Sequence, residues 1–190
     1  MQIFIFDNAT NTLQIDDYNI LLIKEFAKLW EPERNKCKED KSGTQRLRAY
    51  KEFAYIYLVL DFKSPYFKSP IKDRQEAAFL DSGLTKKELE DPDFAAAYNK
   101  YEELQDSDPI LTSIKVAYRT LYKFQVYLDN IDFTEVDVDG KPIHKAADIL
   151  KAIGEISKMR TTLQELELTH KTNLSAQSAL RGDVELGLYD

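Results

Sequence analysis

The chain opens on alternation. Ile3 to Phe6 is apolar and β-prone, Asp7-Asn8-Ala9-Thr10-Asn11 supplies turn residues, and Leu13 to Ile15 returns. This pattern predicts a β-hairpin. A lone hairpin is marginal in water, so it is expected to pack on helices or on a neighbour. The period then changes. After Asp16 or Asp17, either of which can cap a helix, Tyr18, Leu21, Leu22, Phe26, Leu29 and Trp30 recur near helical spacing until Pro32. Glu33 to Gly43 is polar and charged and reads as a loop.

Thr44 to Asp61 is predicted as the central helix. Leu47, Tyr50, Phe53, Ala54, Tyr57, Leu58 and Leu60 form a broad face, and Ile56 and Val59 widen it almost to the full circumference. A helix apolar nearly all round is buried on several sides. Ser64-Pro65-Tyr66-Phe67-Lys68-Ser69-Pro70 breaks the period, because each proline pushes its predecessor toward extended geometry. Tyr66 and Phe67 are therefore either a rigid exposed contact point or side chains folded back on the core.

Short helices follow. One runs from Pro70 to near Leu80, ahead of Gly83, and Thr85-Lys86-Lys87-Glu88 fits a capping box. Asp91-Pro92 and Asp108-Pro109 are cap-plus-proline starts. After the first, Phe94, Ala97, Tyr98, Tyr101 and Leu104 share a face. The second opens a helix to about Leu128, with Ile110, Leu111, Ile114, Ala117, Tyr118, Leu121, Tyr122, Gln125 and Leu128 in register. Phe133 to Val138 alternates apolar and acidic residues, Asp139-Gly140 turns, and Ile143 closes a second short hairpin. A last helix is predicted from Lys145 to His170, with Ala146, Ile149, Leu150, Ile153, Ile156, Leu163 and Leu166 on one stripe. Gly154 weakens it modestly. From Thr172 the residues are small and polar, and then Val184, Leu186 and Leu188 alternate with Glu185 and Gly187. That stretch is too thin for a core of its own and is expected to order on another surface. The expected fold is mainly α: a helical bundle over 1–171 with one or two β-hairpins, and an extended tail over 172–190.

Composition supports a packed domain, with 43% hydrophobic and 31% charged residues among 190. The net charge of −7 makes nucleic-acid affinity a poor default, since phosphate contacts come from Lys and Arg. One basic stretch stands against it: Arg34, Lys36, Lys38, Lys41, Arg46 and Arg48, diluted by Glu39 and Asp40. No apolar run reaches the length that spans a bilayer, so no membrane partner is expected. No basic region precedes Ile3-Phe4-Ile5-Phe6, unlike a signal peptide.

The search for chemistry returns little. Cys37 is the single cysteine, so a disulfide framework is excluded, and His144 and His170 are distant from it in sequence. Glu135, Asp137, Asp139 and Gly140 resemble half of a calcium loop, but Ala146 stands where the bidentate Glu belongs and Pro142 lies inside. The six glycines are not grouped as a phosphate loop requires. Arg181-Gly182-Asp183 is an adhesion tripeptide of a kind that arises by chance. The reading is a non-enzyme without metal or cofactor that works by binding proteins. The residues expected to touch partners are Val184, Leu186, Leu188 and Tyr189 in the tail, which suits strand addition, and Tyr66 and Phe67 in the proline loop.

The layout resembles the small head–tail connector proteins of tailed bacteriophages, the adaptor or head-completion rings. The parts that carry the resemblance are the helices Thr44 to Asp61, Asp108 to Leu128 and Lys145 to His170, the hairpin Phe133 to Ile143, and the tail Thr172 to Asp190. The resemblance implies a virion protein assembled in the host cytoplasm, a homo-oligomeric ring between portal and tail. It implies portal or a neighbouring ring protein as partner, with DNA passing an acidic wall without specific binding. The alternative is a nucleic-acid-associated helical protein, a packaging or regulatory factor, resting on Arg34 to Arg48.

Overall fold

A computed structural model describes residues 3–7, 12–15, 17–132 and 134–180. The fold is mainly α, as the periodicity predicts. The described elements are the strands β1 (Phe4–Asp7) and β2 (Thr12–Ile15), and the helices α1 (Asp17–Leu21), α2 (Lys24–Leu29), α3 (Leu47–Leu60), α4 (Ile71–Ser82), α5 (Lys86–Leu89), α6 (Pro92–Asp106), α7 (Pro109–Asp129) and α8 (Ala146–Leu180), with a 3-10 turn at Pro32–Asn35. Two compact units divide the chain, Met1–Asp108 and Pro109–Asp190. The expected organisation is a domain to 171 followed by an extended tail, and residues 181–190 of that tail lie outside the described residues. The division falls after Asp108, and Thr172 to Leu180 continue α8 as helix, because no proline or glycine interrupts that stretch.

In the first unit, β1 and β2 pair antiparallel, with Phe4 opposite Ile15 and Asp7 opposite Thr12. The hairpin packs on its own unit. Phe4 is buried, and its ring lies 5.9 Å from those of Phe53 and Tyr57 and 5.2 Å from that of Tyr101. Phe53 of α3 is the hub, and the rings of Phe26 and Trp30 also lie within 5.9 Å of it. Tilted and edge-on contacts of this kind add to the area they bury. α3 is the central helix, with Phe53, Ile56, Tyr57 and Val59 essentially inaccessible.

Two boundaries differ from expectation for local reasons. The first helix breaks at Leu22 and Ile23 into α1 and α2. α3 begins three residues after Thr44, because the Asp40 carboxylate accepts the amides of Gln45 (2.7 Å) and Arg46 (3.2 Å) and holds them outside the helix. Arg46 takes a left-handed φ of 53° at this junction. Gly43, with φ +70°, is required: a Cβ there would stand 1.8 Å from the Pro32 carbonyl oxygen. The capping box of α5 forms as predicted, and Asp91 caps α6 by accepting the amides of Asp93 and Phe94.

In the second unit, α7 and α8 pack as a helical pair. Along α8 the more buried positions are Ile149, Ala152, Ile156, Met159, Leu163, Glu167 and His170, alternating by three and four residues. The expected stripe is corrected here, since Leu150, Ile153 and Leu166 are exposed. The second hairpin reduces to one bridge, Val136 with Pro142. Its turn is closed by the Asp137 side chain, which accepts the amides of Asp139 and Lys141, both at 2.9 Å. Phe133, expected to start that hairpin, lies outside the described residues.

Candidate functional site

The basic stretch is the first place to look for a binding surface, and three of its arginines face the protein. Arg34 forms a forked pair with Glu52 at 2.5 and 2.9 Å and reaches Asp91 at 3.1 Å. Arg48 donates to Glu52 at 3.0 Å and to Asp91 at 2.5 Å. Arg46 lies 4.6 Å over the Trp30 ring and donates to the Trp30 carbonyl. The network clamps the 3-10 turn, α3 and the start of α6 together. Burial raises the Asp91 carboxyl, but the hydrogen bonds from Arg48 and Arg34 outweigh this and hold it at about 2. Lys36 is paired at the surface with Glu33. The guanidiniums that motivated a nucleic-acid surface thus serve the fold.

Cys37 is part of the same local structure, its Sγ accepting the Asp40 amide at 3.2 Å. Among the described residues no group of three or more His, Cys, Asp or Glu is placed to hold a metal ion. No helix of the described residues is long and apolar enough to cross a membrane.

The proline loop separates its two aromatics. Phe67 is buried, its ring 5.1 Å from that of Phe62 and capped by the Arg74 guanidinium at 5.0 Å. As an exposed contact residue it is therefore corrected, because folding back fills the space beneath the loop. Tyr66 is half-buried, and its hydroxyl donates to Asp81 at 2.5 Å. Hydrogen bonding to that carboxylate favours the neutral phenol and raises the Tyr66 pKa, with burial acting the same way. The four tail positions Val184, Leu186, Leu188 and Tyr189 lie outside the described residues.

What remains is the surface of the second unit. Leu111, Ile114 and Leu121 form the buried row of α7. A second row, Val116, Thr120, Phe124 and Tyr127, lies roughly 130° further round at 100° per residue. It is open: Val116 is 50%, Phe124 41% and Tyr127 54% exposed. Lys115, Arg119 and Lys123 run along one edge of this row at i, i+4 and i+8, and α7 has no acidic residue before Asp129. Sequence reasoning read α7 as a core helix and took its apolar abundance as burial. The signal it passed over was the second row itself, whose Val116, Phe124 and Tyr127 lie outside the register it named.

The covered side of the pair turns polar toward the end of α8. The Tyr118 hydroxyl donates to buried Glu167, and buried His170 follows one turn later. This seam fixes which turn of α8 meets which turn of α7, since a one-turn slip would separate Tyr118 from its acceptor.

No family model matches this chain, and neither a curated protein nor a solved structure matches it.

Proposed function

We propose that this chain is a structural assembly protein whose copies associate through the second unit, as a ring-forming adaptor of the kind found between portal and tail in tailed phages. One observation carries the reading. α7 is apolar on two separate faces, and α8 covers only one of them. A helix with a second apolar face is a helix with a second neighbour. Three large side chains about half exposed represent roughly 3 kcal/mol of favourable burial when covered. That is modest for one contact but sufficient when a closed ring repeats it at every subunit. The inward orientation of Arg34, Arg46 and Arg48 supports assembly over the nucleic-acid alternative. The ring, the portal partner and the virion location come from the resemblance of layout, and the open face is consistent with them.

The test is the solution mass of the full chain, by light scattering and native mass spectrometry, from low to high micromolar concentration. The expected result is concentration-dependent association that Val116→Asp with Tyr127→Asp abolishes while the circular dichroism of the helices stays unchanged. Electron microscopy of the associated species should show closed rings. A full chain that is monomeric at every concentration, alone and with a portal protein, overturns the reading.

A further inference from the structure

We draw no further inference here: the strongest candidate, the open apolar row of α7 along Val116, Phe124 and Tyr127 with its basic edge at Lys115, Arg119 and Lys123, belongs to the surface already described, and nothing in the structure shows what covers it.

Discussion

Arg34 lays two guanidinium nitrogens on the two oxygens of Glu52, a side chain with no solvent exposure. Arg48 approaches the same carboxylate one helical turn earlier on α3, so two positive groups share one buried negative group. Neutralising the shared acceptor leaves two arginines facing the single carboxylate of Asp91. Glu52→Gln is expected to cost about 3–5 kcal/mol, the range for breaking one side of a buried pair. Urea denaturation followed by the fluorescence of Trp30, the single tryptophan, reads this directly because Trp30 is buried in the same unit. A loss below about 1 kcal/mol would show that the network is dispensable.

Asp91 makes part of that stability pH-dependent. Its carboxyl is held at about 2, below the ordinary aspartate value of 3.8. A depressed carboxylate contributes stability that is present above its unfolded pKa and is lost as pH falls through its folded one. The window is therefore from about pH 4 down to about pH 2, and the contribution is up to about 2 kcal/mol. Denaturation midpoints across that window should fall more steeply for the native chain than for Asp91→Asn. Equal slopes would assign the acid sensitivity to other carboxylates.

Two glycines separate backbone conformation from space. Gly43 and Gly83 both have positive φ, at +70° and +65°. A Cβ on Gly83 meets nothing within 4 Å, whereas one on Gly43 meets the Pro32 backbone. Gly83→Ala is expected to cost about 1 kcal/mol, the cost of the conformation alone. Gly43→Ala should cost at least about 2 kcal/mol, because the turn linking Pro32 to α3 must also shift. Parallel thermal melts check the order, and equal losses would contradict the close approach.

The proline loop gives a contrast between neighbours. Phe67→Ala removes a buried ring beneath Phe62 and Arg74 and is expected to cost about 3–5 kcal/mol. Tyr66→Phe removes one largely exposed hydrogen bond to Asp81 and should cost about 0.5–1.5 kcal/mol. Neither change is expected to alter solution mass once the protein is folded.

In the second unit, Tyr118→Phe takes the donor from buried Glu167. The expected loss is about 1–3 kcal/mol, read by circular dichroism of the helices. Ile114→Val, at a fully buried position on the same helix, is a control, at about 0.5–1.5 kcal/mol.

Local order was legible wherever a residue acts on its own neighbours. The pairing of β1 with β2, the Thr85 capping box, the Asp91-Pro92 start and the dominance of α3 are all consequences of propensity and period over a few residues. Asp40 was read as part of a polar loop, yet it is buried and sets the start of α3 through two amides five and six residues on. That contact depends on a turn shape which the loop's composition does not encode. Helix α8 outran its expected end because the residues after His170 are polar but contain neither proline nor glycine before Gly182. Polarity was mistaken for a stop.

The sequence by itself determined the helical class, most helix starts, and the identity of the core aromatics, because these follow from spacing at 100° per residue and from side chains that cap their own backbone. Only the tertiary structure decided which charges are surface and which are structural. Arg34 and Arg48 share a linear run with Lys38 and Lys41, yet the arginines meet Glu52 and Asp91 while the lysines stay exposed. It also decided which apolar face of α7 is covered. A helix can display two such faces in sequence, but the position of α8 determines which one water still reaches.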